Sequence, residues 1–161
     1  MPNINDRGGA ENNEPGYRFR RLRLREALGL ELLGGSIYEL DPGQRLWAYH
    51  WHHANEELAI VLDGQVTLRT TDGERPVAEG EMLGFRRGPG GAHQLRNDGD
   101  APARILMLST TNLPDLCEYP DSGKLGAFGG FPFHRNDGSQ QAWIPLAAET
   151  DYYDGERHAS A

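Results

Sequence analysis

The 161-residue chain has a single cysteine, Cys117, so it cannot form an internal disulfide, which fits a reducing compartment. Nothing near Cys117 in the sequence suggests activation, and it is not read as a nucleophile. No apolar run approaches the ~20 residues of a membrane-spanning helix. The polar stretch 1–15 also lacks the apolar core of a secretory signal. Together these absences predict a cytoplasmic protein with no membrane partner. Positive charge is scarce too: 16 Lys and Arg stand against 24 Asp and Glu, the net charge is −8, and there is no lysine-rich tract. General nucleic-acid binding is therefore not expected. The local exception is five arginines between Arg18 and Arg25. Arg21, Arg23 and Arg25 alternate with Leu22 and Leu24, the period of a strand with one wet face. They are read as a solvated face or a dimer edge, with anion contact as the lesser alternative.

Sustained helical periodicity is also missing, apart from a weak turn around Arg25–Leu30. What the chain has instead is turn chemistry: 21 Gly and 10 Pro. Short apolar-alternating segments at Ser36–Leu40, Arg45–His52, Glu57–Leu62, Val66–Thr70, Gly80–Phe85, Ala92–Asn97 and Arg104–Ser109 are separated by Asp41-Pro42-Gly43, Asp63-Gly64, Asp72-Gly73 and Asn97-Asp98-Gly99-Asp100. Strands at this spacing predict an all-β sandwich or barrel. Residues 1–16, rich in Asn, Gly, Glu and Pro, read as a disordered or loosely packed lead-in. Residues 17–110 form the barrel. Residues 111–161 hold several prolines and the aromatics Phe128, Phe131, Phe133, Trp143, Tyr152 and Tyr153. They are too aromatic for simple disorder and read as an extended arm packed on the barrel or on a partner subunit. No repeat of the histidine-bearing stretch occurs, so one barrel is expected.

The chemistry concentrates in His50-Trp51-His52-His53-Ala54-Asn55-Glu56-Glu57. On a strand, His50 and His52 point to one face, so both imidazoles can meet one ion. After a corner at Ala54-Asn55, Glu57 opens the next strand opposite them. His93, following Gly88-Pro89-Gly90-Gly91-Ala92, fits as a fourth ligand. Three imidazoles and a carboxylate suit one divalent transition metal (Fe, Mn, Ni, Co or Zn) better than Ca or Mg. An octahedral site would leave two positions for water or substrate. By parity His53 faces away and Glu56 faces solvent, while His134 and His158 have no evident partners. Trp47 and Tyr49, one strand-step from the ligand face, and Arg86, near His93, are candidate substrate-binding residues. Arg87 is a weaker one. Gln94 and Arg96 are read as outward and exposed.

Gly43 to Gly64 resembles the first cupin motif, with His50, His52, Glu57 and Gly64 at its spacing and Gly43 one residue further upstream. Gly80 to Asn97 resembles the second, through Gly80, His93 and Asn97. There Arg86 stands where proline is usual, and the loop before His93 is slightly longer. The resemblance covers residues 36 to 109. It implies a double-stranded β-helix (a cupin or jelly-roll barrel), a metal on His50, His52, Glu57 and His93, and a homodimer. The whole chain also resembles a group of small bacterial cupin-2 proteins with an Asp-Ser-Gly-Lys segment (Asp121–Lys124) and a Tyr-Asp-Gly-Glu ending (Tyr153–Glu156).

Fold does not fix function. The expectation is a metal-dependent enzyme on a small organic substrate, dioxygenase-like or of lyase, isomerase or decarboxylase type. The alternative is a non-catalytic metal or small-molecule binding module. A sugar-phosphate isomerase ranks lower because no clear basic cluster is visible. A structural storage cupin ranks last because all four ligands are kept. The catalytic residues are not assignable from sequence.

Overall fold

Period-two alternation gives most of the central strands one inward and one outward face, and the inward faces meet in a single interior. The computed structural model describes residues 1–129, 141–148, 150–152 and 154. Strands β1 (Ala10–Asn12) and β2 (Phe19–Arg23) lead through a short helix α1 (Leu24–Leu28) into β3 (Leu33–Leu40). Then come β4 (Trp51–His52), β5 (Glu57–Asp63), β6 (Gln65–Thr70), β7 (Gly73–Ala78) and β8 (Met82–Phe85). A 3-10 turn at Pro89–Gly91 precedes β9 (Gln94–Arg96) and β10 (Ala103–Thr110). The arm contributes β11 (Asp115–Tyr119), β12 (Lys124–Phe128) and β13 (Gln141–Pro145).

Among the described residues one six-stranded sheet has the order β1-β2-β3-β10-β5-β8. A four-stranded sheet runs β13-β12-β11-β4 and a three-stranded one β7-β6-β9. Isolated bridges, Arg45 to Arg96 and His50 to His93, join the two smaller sheets into one layer. The two layers close into the double-stranded β-helix expected from the sequence. Leu40, Val61, Val66, Leu95 and Ile105 fill the space between them and are almost fully buried. Each is worth about 1.5–3 kcal/mol of apolar burial. No helix among the described residues is long and apolar enough to cross a membrane.

Three differences from the sequence reading have physical causes. The Arg45–His52 strand is ladder-like only at its end, because side chains take its carbonyls: Gln94 Nε2 donates to Trp47 O (2.7 Å) and the His50 ring to Ala48 O (2.8 Å). Gln94 is therefore buried, not exposed, while Arg96 is half-buried and pairs with Glu74 and Asp98. Residues 1–16 are tied down: β1 pairs with β2, and Arg104 Nη2 donates to the carbonyls of Ile4 and Asp6 at 2.8 Å. Arg104 is 3% exposed and lies beside Glu39, which Arg20 grips at 2.8 Å. A buried guanidinium needs such acceptors, and a polar lead-in supplies them.

Two motif residues hold the frame. Gly64 turns at φ 80, and a Cβ there would crowd Pro102 O at 3.2 Å. Asn97 is fully buried; its amide donates to Leu40 O (2.9 Å) and Ala101 O (2.8 Å) and accepts from Gly99 N (2.9 Å). The described part of the arm returns to its own barrel, where β11 pairs with β4 and sets Cys117 opposite His52.

Candidate metal centre

Backbone pairing aligns the candidate ligands before any side chain does. His93 N donates to His50 O (2.9 Å), His50 N to His93 O (3.2 Å), and Gly88 N to His52 O (2.9 Å). The glycine-rich loop thus fastens to the strand bearing the paired histidines. A Cβ at Gly91 would overlap the Arg86 carbonyl, so the loop closes this tightly only with glycine there. Glu57 enters from the facing sheet, at the first residue of β5, beside Phe85 of β8 and Ser109 of β10.

The side chains converge. Nε2 of His93, His52 and His50 lies 3.2, 3.4 and 3.9 Å from Oε2 of Glu57. The other ring nitrogens are all engaged: Nδ1 of His50 with Ala48 O (2.8 Å), of His93 with Gly91 O (2.9 Å), and of His52 with Asp115 Oδ2 (2.6 Å). Carbonyl and carboxylate oxygens only accept, so each Nδ1 carries a proton, and a ring in its neutral form, as a metal ligand must be, turns a lone pair on Nε2 toward the Glu57 carboxylate. With all three rings neutral, four acceptors would face one another. Glu57 Oε2 and His93 Nε2 are buried with no hydrogen-bond partner, a condition that only a cation or a proton relieves.

The electrostatics agree. Burial pushes the His50 imidazole down to about 4, so it stays neutral. Burial alone would raise the Glu57 carboxyl, but His52 and His93 hold it well below the usual carboxylate range. Burial also opposes a charge on His52, yet Asp115, Cys117 and Glu57 together hold its pKa up at about 12. A ring between two carboxylates takes whatever cation is on offer. The donor set of three nitrogens and a carboxylate fits a divalent transition metal.

The arm brings residues that sequence reasoning missed. Asp115, 3% exposed, holds His52 through Oδ2 and accepts Ala54 N on Oδ1 at 2.9 Å. It therefore fixes both the ring and the corner leading to Glu57. Cys117 Sγ lies 3.0 Å from His52 Nδ1, and burial pushes its thiol pKa up, so it is no thiolate nucleophile. His52, Asp115 and Cys117 form a second close cluster, satisfied by its own hydrogen bonds. The Tyr119 ring stacks 5.8 Å from His50, its phenol pushed up to about 12 by burial. Phe85 stacks on His93 at 3.7 Å. The signal for the arm residues was the alternation Asp115-x-Cys117-x-Tyr119, a strand with one chemically dense face.

Of the other residues picked from sequence, Trp47 lines a narrow crevice with His50, His93 and Met107. Tyr49 is buried away from it, under the Arg69 guanidinium at 4.0 Å. Arg86 is exposed and lines a shallow groove with Glu57 and Phe85; Arg87 is exposed as well. His53 faces outward, bonded to Glu118 at 3.0 Å, and Glu56 is exposed. His134, His158 and most of the Tyr153–Glu156 ending lie outside the described residues.

Residues 36–109 match the cupin domain family model. Among solved structures, a protein from Acidithiobacillus ferrooxidans, provisionally named a sugar phosphate isomerase, is 27% identical with a TM-score of 0.76, over 89% of this chain and 88% of its own. A sugar phosphate isomerase of the cupin superfamily from Silicibacter pomeroyi is 30% identical with a TM-score of 0.70, over 83% and 90%. A cupin 2 conserved barrel domain protein from Salinispora arenicola, 20% identical with a TM-score of 0.54 over 69% and 87%, shares the fold. No curated protein matches.

Proposed function

With this chain a member of the cupin superfamily, we propose that it is a metal-dependent enzyme of isomerase type acting on a small hydroxy-carbonyl compound. His50, His52, Glu57 and His93 would hold one divalent metal. The observation that carries the reading is the convergence of three imidazole Nε2 atoms on Glu57 Oε2, two of these atoms being buried without a partner. The isomerase class is supported by the names of two relatives whose likeness extends over most of both chains. It displaces the dioxygenase, lyase and decarboxylase readings as first choice, because no feature of the centre favours those.

When bound, a divalent metal supplies Lewis-acid polarisation of a substrate carbonyl or hydroxyl. The chain's own residues do the rest. Nδ1 of each histidine is tied down, which aims Nε2 and removes rotational freedom from the ligand set. Phe85 and Tyr119 wall two of the rings and exclude water. Trp47 and Met107 line the narrow crevice beside His50 and His93 and give it apolar walls. Isomerisation moves a proton between adjacent carbons and needs no external oxidant or reductant.

The test is proton exchange. Metal-loaded protein is incubated with a panel of aldose and ketose phosphates in D2O and followed by NMR. Deuterium entering the carbon next to the carbonyl, lost on chelation and restored by metal, is the expected outcome. Binding without exchange or turnover across the panel would mean a non-catalytic binding module.

A further inference from the structure

Strand β2 turns Phe19 and Arg21 toward the interior of the barrel and ends at the exposed Arg23: Phe19 belongs to the main core, and Arg21 stands in register with the buried Tyr38. Of the arginine row expected to be a solvated face, Arg21 thus looks inward, while Arg23 and Arg25 are exposed. Arg21 is half-buried. Its Nε donates to Ser36 Oγ at 2.9 Å, and its guanidinium carbon lies 5.5 Å from the Tyr38 ring and 5.9 Å from the Trp47 ring. Several other arginines held by structure are matched with acid: Arg20 with Glu39, Arg69 with Asp121, Arg96 with Glu74 and Asp98. Arg21 has no carboxylate within 4.0 Å among the described residues, and its Nη1 and Nη2 hydrogens have no acceptor there.

Withdrawing a guanidinium from water without a counter-charge costs free energy, and aromatic faces repay only part of it, on the order of 1 kcal/mol. Trp47, against which Arg21 packs, also lines the crevice that His50 and His93 open onto, and Met107 of that crevice is in register with Ser36. Tyr38, its pKa raised by burial, lies within electrostatic reach of both Arg21 and Glu57. A positive fork therefore stands against the Trp47 ring, one side chain removed from the crevice that His50 and His93 line. A planar guanidinium with free Nη donors recognises phosphate and carboxylate oxygens in pairs.

We propose that Arg21, positioned by Ser36 and Trp47, anchors an anionic group, phosphate or carboxylate, of the substrate bound beside the metal centre. The inference rests on the enzyme reading given above and names its substrate class. It also supplies the positive site whose absence from the sequence had counted against phosphorylated substrates.

The test titrates the full-length protein, with metal and after chelation, with inorganic phosphate and separately with acetate, reading heat by calorimetry and tryptophan fluorescence. The proteins are the unmodified chain, Arg21→Met, Arg21→Gln and, as a charge control, Arg75→Met, whose guanidinium pairs with Glu81 at the exposed edge of β7. Weakening by about tenfold or more in both Arg21 variants, with Arg75→Met unchanged, is the expected result, and whichever anion binds tighter names the class. Arg21→Gln can still donate to Ser36, so it serves if the Met variant fails to fold. Phosphate and acetate binding that is equal in all folded variants, or absent from the unmodified chain at about 50 mM, would overturn the inference. Metal content measured on the same samples separates the two ideas. Arg21-dependent anion binding in a protein that takes no metal keeps the anchor and removes the metal reading; a metal-loaded protein indifferent to Arg21 does the reverse.

Discussion

The His52 ring lies between two carboxylates, with Nδ1 toward Asp115 and Nε2 toward Glu57. In the metal-free protein this favours an imidazolium: the pKa is held up at about 12, against an ordinary value of 6.5. The stability that charge lends the metal-free fold is therefore present below pH 6.5 and lost as pH rises toward 12. Metal binding runs the other way, because an ion on Nε2 must displace the proton. Uptake near neutral pH is expected to release about one proton, with affinity rising about tenfold per pH unit. Calorimetry in buffers of different ionisation enthalpy measures both, and uptake without proton release would contradict the placement of His52. Asp115→Ala should lower metal affinity by about 10–100-fold in a folded protein, read by competition with a chelator. His53→Ala, whose ring bonds Glu118 on the outer face, should keep its metal; loss of metal there would undo the parity argument.

At the scale of elements, β4, β5 and the turn before β9 do different jobs. The short run from His50 to Glu57 was legible because its members are neighbours in sequence and strand parity sorts them: His50, His52 and Glu57 inward, His53 and Glu56 outward. His93 was legible through the second motif. Strand β11 was not, because its pairing with β4 brings Asp115 to His52 across 63 residues of chain, and no local pattern encodes such a contact. Arg21 was misread for a related reason. Alternation revealed the two faces of β2, but a row of arginines reads as wet unless Phe19 on the same face is given its weight. The joints between elements make predictions of their own. Asn97→Ala leaves Leu40 O and Ala101 O without their donor and should cost about 1–3 kcal/mol in chemical denaturation, with no change in slope. A cost near zero would mean that the buried amide does not stitch that turn.

For the whole molecule, the two layers are clamped where they meet at the candidate centre, with Glu57 from one sheet and the histidines from the other. An ion there binds the folded state and not the unfolded chain, so it adds stability by mass action, about 2.7 kcal/mol at a hundredfold excess over Kd. Adding chelator should lower the melting temperature, and metal should restore it. An identical Tm in both conditions would mean that no ion bridges the layers. The same economy explains how a modest core suffices. Leu40, Val61 and Ile105 close the barrel below, while polar groups above are left for a ligand to satisfy.

The most direct test of the central claim, that His50, His52, Glu57 and His93 form one metal site, is elemental analysis of the protein purified without a histidine tag. The account predicts about one equivalent of a single divalent transition metal per chain, as isolated or after reconstitution. Less than about a tenth of an equivalent of any transition metal after reconstitution would contradict it.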